Sequence, residues 1–280
     1  MADQMQSGDI QTRMGDRKYA DETYGKDRQF VTALARGLEI LRCFKADKAL
    51  LGNQEIAEKT GLPKPTVSRL AYTLTQLGYL NYLKNYRKYQ LGTGVLALGY
   101  GVLTNLNILK IARPFLRELA DHAQAAIGLC AQDRLNMIYL ENIYPNTNAV
   151  VLRYQAGDFL PMANTAAGRA FLCALSDRER TYLMDQIRQR DEREWPALKA
   201  GIEQAMKDYQ DLGYCMSLGD YNKGVNGIGA PIKSPASGSD IKVINCGAAS
   251  FQLRRHIIED DIGPRLVHVA GQIETQLFRT

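Results

Sequence analysis

The first hundred residues repeat apolar positions with the period of α-helices. An apolar residue recurs every third or fourth position across Val31–Phe44, which predicts a first helix there. A short second helix is predicted over Asn53–Thr60, where Gly61 can end it in the left-handed conformation. A third is predicted over Lys64–Leu77, with its apolar residues on one stripe. Only a short, glycine-containing turn separates the second helix from the third.

A strand-like alternation of apolar and polar residues follows the third helix. It covers Tyr79–Leu83, breaks at the polar turn 84–87 and resumes over Lys88–Leu91, which predicts a β-hairpin with a basic tip. Three helices followed by such a hairpin form a winged helix-turn-helix. Residues 29–92 are therefore predicted to be a DNA-binding domain, and the aperiodic residues 1–28 a disordered tail.

The third helix and the hairpin carry the candidate DNA-contacting side chains. Pro63 and Pro65 fix where the helix starts, because proline is tolerated only in the first helical turn. In this motif the third helix enters the major groove, and the hairpin would lie along the adjacent backbone. The candidates are Lys64, Pro65, Thr66, Ser68, Arg69, Tyr72, Thr73, Lys84, Arg87 and Lys88. The alternative is an exposed helix with ordinary solvated side chains.

An apolar-rich helix is predicted over Gly94–Lys110, directly after the hairpin. Its stripe consists of Val95, Leu98, Val102, Leu106 and Leu109. Because the small domain offers this stripe no partner, we expect residues 93–110 to form a linker that pairs with a second subunit. The alternative is that the stripe packs against the C-terminal domain of the same chain.

Helices and strands mix without regular alternation in the rest of the chain. The predicted helices cover Ile111–Ala125, Thr165–Leu175, a segment opened by the capping box Ser176–Glu179, Trp195–Leu212 and Glu259–Phe278. The predicted strands are Ile127–Ala131, Met137–Ile143, Val150–Tyr154, Tyr214–Leu218, Gly227–Lys233 and Lys242–Cys246, with a loop at Gly157–Pro161 and a turn at Ser234–Asp240. This pattern favours an α+β domain over residues 111–280.

The distribution of charge supports a polyanionic partner for the N-terminal domain. The whole chain of 280 residues carries a formal charge of +5. Residues 29–92 hold ten Lys or Arg and four Asp or Glu, so they carry +6 and the remainder −1. Moreover, no acidic residue occurs between Glu58 and Glu118. An acid-free basic stretch suits duplex DNA, because phosphate contacts supply much of the affinity; the alternative is chance clustering on a solvated face.

Cysteine usage and hydropathy bear on the compartment. The five cysteines are scattered and include no C-x-x-C pair, which favours reduced thiols over a disulfide scaffold or a zinc site. The sequence holds no secretory leader pattern and no apolar run of about 18 residues. We therefore expect a cytoplasmic protein without a membrane partner.

One helix start in the second domain has the features of a small-molecule site. Asn164 and Thr165 precede a run of small residues that includes Ala166 and Gly168, so free N–H groups and the positive helix end could hold an anion. The alternative is a plain helix cap. Asp220 is expected either to accept a ligand hydroxyl or to form a local turn. Further candidates are Leu129, Met162, Ile228 and Cys246, as apolar cavity walls or as simple core.

Catalytic and metal-binding motifs are absent from the sequence. The three histidines are not spaced with other ligands as a metal site requires, and no nucleophile-elbow, phosphate-loop or dinucleotide fingerprint occurs. We therefore expect no enzyme activity, no metal and no cofactor.

Two sets of motifs resemble a known family. GLEIL (37–41), EIAEKTGLPKPTVSRL (55–70), LGYL (77–80) and YQLG (89–92) are similar to the winged-helix half of IclR-type bacterial transcriptional regulators. PMANTAAGRAFL (161–172) and GVNGIGAPI (224–232) resemble motifs of the C-terminal half of that family, in the same order. The resemblance covers residues 30–276.

The resemblance implies a mixed fold, in which a winged helix-turn-helix is joined by a linker helix to an α+β, GAF-like effector-binding domain. It further implies a homodimer or a dimer of dimers that binds operator DNA and responds to an organic or aromatic acid, with RNA polymerase as a possible contact. Ala163 and Gly227 join the effector-site candidates on this basis. The sequence departs from the family pattern at Pro65, Arg169, Gly227 and Cys246, where Ser, Lys, Cys and Ser occur in relatives.

Two other functions remain open from the sequence. One is a DNA-binding domain fused to an enzyme domain, which would turn over its small molecule. The other is a DNA-binding dimer whose C-terminal domain only oligomerises, which would show no ligand-dependent change in operator affinity.

Overall fold

The chain divides into two compact units, Met1–Asn105 and Leu106–Thr280. The structure is a computed structural model that describes residues 28–45, 48–145, 153–233 and 240–279. The predicted tail up to residue 27, residues 150–152 of the predicted strand Val150–Tyr154 and residues 234–239 of the predicted turn lie outside the described residues.

The first unit confirms the three predicted helices. They are α1 (Thr32–Arg42), α2 (Asn53–Thr60) and α3 (Lys64–Gln76). Their apolar faces meet in one core, because a stripe of residues three and four apart on each helix points inward. The fully buried members of this core are Ile40, Leu51, Ile56, Val67, Ala71 and Leu80.

The turn between α2 and α3 is fixed by backbone chemistry. Gly61 adopts the left-handed conformation with φ of 62°, which glycine enters without a steric cost. Thr60 Oγ1 then accepts a hydrogen bond from the N–H of Leu62, whose side chain is buried. Pro63 is extended, and Pro65 lies in the first turn of α3, as the sequence predicted.

The hairpin is also confirmed, as β1 (Leu80–Leu83) and β2 (Lys88–Leu91). The strands pair antiparallel, with Leu80 opposite Leu91. Two backbone hydrogen bonds of 2.8 and 3.0 Å between Leu51 and Tyr89 hold the hairpin against the helices. The wing is therefore part of the same small unit and not a free loop.

The helix predicted over Gly94–Lys110 is two helices in the structure. α4 spans Thr93–Asn105 and α5 spans Asn107–Ala123. Leu106 between them is extended, with ψ of 92°. Asparagine on both sides of Leu106 accounts for the break, because its side chain competes for backbone hydrogen bonds in a helix interior. Of the predicted stripe, Leu109 therefore lies in the core of the second unit.

The second unit is built on a six-stranded antiparallel sheet. Its strands are β3 (Ala126–Asp133), β4 (Asn136–Ile143), β5 (Phe159–Pro161), β6 (Cys215–Leu218), β7 (Val225–Lys233) and β8 (Ile241–Ala249), in the spatial order β5-β4-β3-β8-β7-β6. Its helices are α5, α6 (Ala166–Ala174), α7 (Asp177–Arg190), α8 (Trp195–Leu212), α9 (Arg255–Ile257), a π-helical turn over Ile258–Ile262 and α10 (Gly263–Phe278).

Two apolar layers cover the two faces of this sheet. One layer joins α5 and α10 to strand residues such as Leu129, Ile228 and Cys246. The other joins α6 and α8 to strand residues that include Cys130 and Val243. Neighbouring side chains along a strand point to opposite faces of the sheet. Alternate residues of each strand therefore pack in alternate apolar layers.

The prediction of a loop over Gly157–Pro161 is wrong. Phe159–Pro161 forms β5, which pairs antiparallel with β4 at the edge of the sheet. Proline is tolerated there because an edge strand leaves one side of its backbone without a sheet partner. The capping box at Ser176 is confirmed, since Ser176 Oγ accepts from the N–H of Glu179 and the carboxylate of Glu179 accepts from the N–H of Ser176.

Candidate functional site

The outward face of α3 presents most of the predicted DNA contacts to solvent. Lys64, Pro65, Arg69, Tyr72 and Thr73 are all exposed. The Tyr72 side chain is 65% exposed, which is unusual for so large a ring. Arg69 lies in the N-terminal half of this helix, and the exposed ring of Tyr72 follows about one turn later. A basic group next to an aromatic ring suits contacts with phosphates and base edges.

Thr66 and Ser68 are placed differently from the other α3 candidates. Both are half-buried. Ser68 Oγ accepts a hydrogen bond of 2.9 Å from Asn53 Nδ2, so the hydroxyl links α3 to the first residue of α2. Ser68 therefore supports the angle between the two helices and retains its O–H and one acceptor lone pair for a further contact.

Arg36 of α1 is a candidate that the sequence analysis missed. It lines a groove on the outward side of α3 together with Thr66, Arg69 and Tyr72. Its Nε is buried and has no hydrogen-bond partner. A buried guanidinium N–H without an acceptor suits a phosphate oxygen, which would satisfy it. In the sequence, Arg36 is marked as a candidate only by being a basic residue within the apolar run of α1.

The wing divides into a free tip and a tethered base. Lys84 and Arg87 are exposed at the tip, where Arg87 adopts φ of 50° to close the turn. Lys88 at the base pairs with Glu55 of α2, with Nζ and Oε2 3.0 Å apart. Lys88 thus already has a counter-charge, whereas Lys84 and Arg87 are exposed at the tip.

Glu55 holds this region together electrostatically. Its carboxylate also accepts from the N–H of Gly52 at 2.9 Å and lies 3.3 Å from Lys48 Nζ. The backbone hydrogen bond from Gly52, followed by the two lysines, lowers the pKa of Glu55 to about 2. Glu55 thus both caps α2 and pairs with Lys88 at the base of the wing.

The second unit contains a cavity above the centre of its sheet. Its floor is a row across three strands, in which Gly247 pairs with Ala126 on one side and with Gly227 on the other. A Cβ built on Gly247 would meet no atom within 4 Å. The row thus carries almost no side chain, which leaves space that the neighbouring elements enclose. The cavity is partly open to solvent, and the centre of a water-sized sphere can occupy about 80 Å³ of it.

The next row of the sheet carries Asn245 between two glycines. A Cβ on Gly128 would lie 2.3 Å from the Tyr139 ring, and one on Gly229 would lie 2.7 Å from the carbonyl oxygen of Ala166. These glycines therefore allow Tyr139 and the start of α6 to pack closely on the sheet. Asn245 Nδ2 donates to the Tyr139 hydroxyl at 3.2 Å, which fixes both side chains at the cavity wall.

Aromatic and amide groups form the walls. Tyr154 stacks on Tyr139 with ring centroids 5.4 Å apart, and burial raises the pKa of both hydroxyls. Asn142 Nδ2 donates to the Tyr144 hydroxyl, but the buried Oδ1 of Asn142 has no partner. The lining further includes Tyr221, Asn222, Asn226, Ser217, Gln124 and Gln252. None of the lining residues that the structure describes is charged.

The start of α6 contributes the remaining wall. Thr165 caps the helix, since its Oγ1 accepts from the N–H of Gly168 at 3.2 Å and donates to the carbonyl of Pro161. The first N–H groups of a helix have no partner within it. Ala166 and Ala167, the first two residues of α6, both line the cavity. Their small side chains give a ligand access to these N–H groups.

Apart from Asp220 and Asn164, the predicted effector residues separate into three groups. Thr165, Ala166, Gly227 and Cys246 are among the cavity-lining residues. Leu129 and Ile228 face the α5 and α10 layer instead, and so does the side chain of Cys246. Met162, Ala163 and Gly168 lie behind the wall, where a Cβ on Gly168 would come within 2.1 Å of the carbonyl oxygen of Met162.

Asp220 and Asn164 support the cavity from outside. Asp220 pairs with Arg169, with Oδ2 and Nη1 2.5 Å apart. Arg169 is almost fully buried and also donates to the carbonyls of Ala163 and Met216. Asn164 accepts at its carbonyl from Ser217 Oγ at 2.8 Å, which ties the start of α6 to β6. Arg169 thus joins the loop before α6 to the edge strand β6.

The described residues set limits on other chemistry. No group of three His, Cys, Asp or Glu side chains among them could hold a metal ion. No single helix within the described ranges is long and apolar enough to cross a membrane. The consecutive segments Thr93–Thr104 and Asn107–Ala123, which are bent at the break between them, reach that length and hydropathy only when they are counted as one.

The winged helix-turn-helix of the first unit and the partly open cavity of the α+β second unit are the arrangement expected of a transcriptional regulator. Comparisons with known proteins agree. The family model described as the IclR helix-turn-helix domain matches residues 33–84, and the model described as the bacterial transcriptional regulator IclR C-terminal matches residues 100–260. The chain therefore belongs to the IclR family of transcriptional regulators.

Three similar proteins span nearly the whole chain. The HTH-type transcriptional regulator TsaQ1/TsaQ2 of Comamonas testosteroni is 32% identical, with 93% of each chain covered. The crystal structure of an IclR family regulator from Brucella abortus has a TM-score of 0.83 and 48% identity, covering 90% of this chain and 94% of that one. An IclR homologue from Microbacterium hydrocarbonoxydans, solved with 4-hydroxybenzoate, has a TM-score of 0.66 and 19% identity, covering 89% and 100%.

Proposed function

We propose that this chain is an effector-responsive regulator, in which an aromatic acid bound in the second unit changes operator binding by the first. The observation that carries the proposal is the glycine-floored cavity in the same chain as an exposed recognition helix. A ligand shifts such an equilibrium only if it binds the two states differently, and couplings of about 1–3 kcal/mol are typical.

The DNA-binding half of the proposal rests on the free basic groups. Lys64 and Arg69 on α3 and Lys84 and Arg87 on the wing are exposed and lie on one small unit. Arg69 is the candidate for base readout, because a guanidinium can form two hydrogen bonds with guanine. The wing cations would contact phosphates.

The effector half rests on the polar groups of the cavity. Because no charged side chain is among the described lining residues, a carboxylate would be held by the N–H groups at the start of α6, whose helix dipole favours an anion. The unpaired Oδ1 of Asn142 would accept a hydrogen bond from a hydroxyl of the ligand. An aromatic ring fits against Tyr139 and Tyr154. The structural neighbour solved with 4-hydroxybenzoate supports this class of ligand.

We further propose that α4 pairs with a second copy of the chain. Leu96, Leu98, Tyr100 and Val102 on this helix are each at least 58% exposed. At 100° per residue, Leu98 and Val102 lie on one side of this helix and Leu96 and Tyr100 on the opposite side. Each side thus carries an exposed apolar pair that a partner helix could cover. A second copy offers the same helix, so the contact would be self-complementary in a two-fold dimer.

Two variants of matched charge test the DNA-binding role. Arg69→Ala should weaken binding to the duplex upstream of the gene for this chain by about 1–3 kcal/mol if Arg69 reads a base. Lys207→Ala on the second unit removes the same charge from an exposed position and should leave affinity unchanged. An equal loss for Arg69→Ala on unrelated DNA would assign Arg69 to phosphate contact only.

Ligand titration separates the proposal from its alternatives. Full-length protein would be titrated with 4-hydroxybenzoate, benzoate and 4-hydroxybenzamide, and operator affinity would be measured with each. Tighter binding of the acids than of the amide supports the α6 anion site, whereas equal affinity removes it. A ligand-independent dimer predicts no change in operator affinity. An enzymatic second unit predicts turnover of the bound acid, which chromatography of the mixture would detect.

A further inference from the structure

Two thiols meet between α6 and β6, away from the cavity. The Sγ atoms of Cys173 and Cys215 lie 3.5 Å apart. Both also lie close to the carbonyl oxygen of Ala205 on α8, at 3.7 and 3.4 Å. Neither thiol takes part in the effector site or in DNA contacts. The pair is separated by 42 positions in the sequence, so only the fold brings it together.

The two thiols differ in access and in protonation. Cys173 is partly exposed, whereas Cys215 is fully buried. The hydrogen bond that Cys215 donates lowers the pKa of the Cys173 thiol, and the positive charge of Arg180 acts in the same direction. The same contact and burial raise the pKa of Cys215. A partly exposed thiol with thiolate character beside a buried protonated one suits attack by the first and resolution by the second.

We propose that Cys173 and Cys215 form a peroxide-reactive dithiol that closes to a disulfide within one chain. The Cys173 thiolate attacks one oxygen of a hydroperoxide, which breaks the O–O bond and leaves a sulfenic acid and a hydroxide or alkoxide ion. The Cys215 sulfur then attacks the Cys173 sulfur. The S–S bond forms, the sulfenic oxygen leaves as water with the Cys215 proton, and a cellular thiol reverses the reaction by exchange.

The geometry of the surrounding elements makes closure feasible. A disulfide needs an S–S separation of about 2.05 Å, so the two sulfurs must approach each other by roughly 1.5 Å. Cys215 is the first residue of β6, an edge strand that pairs only with β7. Cys173 lies in the last turn of α6. Side-chain rotation and a small shift at two element ends can supply this movement.

Closure would act on the walls of the cavity. α6 and β6 are already joined near the cavity by the hydrogen bond from Ser217 to Asn164. A disulfide at the other end of α6 would fix the same two elements at both ends. The consequence, which rests on the proposed function, is that oxidation changes effector affinity. The dithiol chemistry itself does not depend on that function and can be tested alone.

Peroxide treatment of the full-length protein tests the chemistry directly. Reduced protein would be exposed to hydrogen peroxide, and free thiols, intact mass and linked peptides would be measured. The proposal predicts the loss of two of the five thiols, a mass decrease of two hydrogen atoms and a cross-linked peptide that joins Cys173 to Cys215. Reversal by dithiothreitol should restore all five.

Variants distinguish this pathway from general oxidation. Cys215→Ser should leave Cys173 as a sulfenic acid that a cyclic diketone captures, and Cys173→Ser should prevent both products. The Cys43→Ser variant lacks a buried thiol of the first unit, and it should form the Cys173–Cys215 disulfide as the unaltered chain does. Oxidation of Cys173 to sulfinic acid without any disulfide, or a disulfide that joins two chains, would overturn the proposal.

A binding measurement tests the consequence for the cavity. The affinity for 4-hydroxybenzoate would be compared between the oxidised and the reduced protein, with Cys215→Ser as the control that cannot close. A changed affinity in the unaltered chain and an unchanged one in the variant support the link between the dithiol and the cavity. An unchanged affinity in both, with the disulfide formed, removes the link and leaves the redox site.

Discussion

Replacing Gly247 tests whether the glycine row is the floor of the effector site. A Cβ at this position meets no atom within 4 Å, so Gly247→Val directs its side chain into empty space. The backbone there is not left-handed, so valine is compatible with the strand. The change fills part of the cavity while it leaves the packing of β8 intact.

The expected magnitudes follow from these distances. Glycine within a strand costs roughly 0.5–1 kcal/mol relative to alanine, so Gly247→Val should keep or slightly raise the free energy of unfolding. Gly229→Ala is the matched contrast, because its Cβ would lie 2.7 Å from the carbonyl oxygen of Ala166. Overpacking of this kind typically costs about 1–3 kcal/mol. Gly247→Val should thus weaken ligand binding without loss of stability, whereas Gly229→Ala should lower the free energy of unfolding.

Isothermal titration with the tightest of the three probe ligands, together with urea unfolding, measures both effects. Gly247→Val should weaken the ligand about tenfold or more, which is about 1.4 kcal/mol, with an unchanged unfolding midpoint. Operator binding without ligand should also be unchanged. If Gly247→Val binds the ligand as tightly as the unaltered chain, the effector does not occupy the space above this row.

Three further predictions concern single contacts. Glu55→Gln should destabilise the first unit by up to about 1 kcal/mol at neutral pH, because glutamine can still accept from the N–H of Gly52 but no longer pairs with Lys48 and Lys88. Because the pKa of Glu55 is lowered from 4.5 to about 2, its stabilisation is present above pH 4.5 and disappears as the pH falls toward 2. In urea unfolding, the free energy of unfolding of the variant should therefore fall less over this pH range than that of the unaltered chain. Asp220→Asn should cost about 1–3 kcal/mol in thermal unfolding, because it leaves Arg169 buried without its carboxylate, and an unchanged Tm would contradict that role. Leu98→Asp on α4 should give a monomer in analytical ultracentrifugation if this helix mediates pairing, and a persistent dimer would place the interface elsewhere.

The winged helix could be predicted closely because its signals are local. Gly61, Pro63 and Pro65 mark the turn and the start of α3, and the polar turn 84–87 marks the wing. The structure reproduces the bounds of α2 and β2 as predicted. What the local pattern could not reveal is the pairing of Lys88 with Glu55, which are 33 positions apart and lie on different elements.

The cavity was harder to predict because it depends on strand register. Ala126, Gly247 and Gly227 become one row only after β3, β8 and β7 pair, over a separation of more than 100 residues. An error of one residue in strand parity moves a side chain to the opposite face of a sheet. For Leu129 and Ile228 the sequence leaves cavity wall and simple core open, and the structure places both in the core of the other layer. Tyr139 and Asn142 were missed because a β-bulge in the pairing of β3 with β4 sets which residues of β4 face the cavity.

Binding of the full-length protein to the duplex upstream of its own gene tests the central claim most directly. Fluorescence anisotropy across a range of salt concentrations would give both the affinity and its salt dependence. The account predicts specific binding at low ionic strength, a logarithm of affinity that falls linearly with the logarithm of salt, and a shift in affinity when a cavity ligand is added. Equal affinity for that duplex and for unrelated DNA under all these conditions would contradict it.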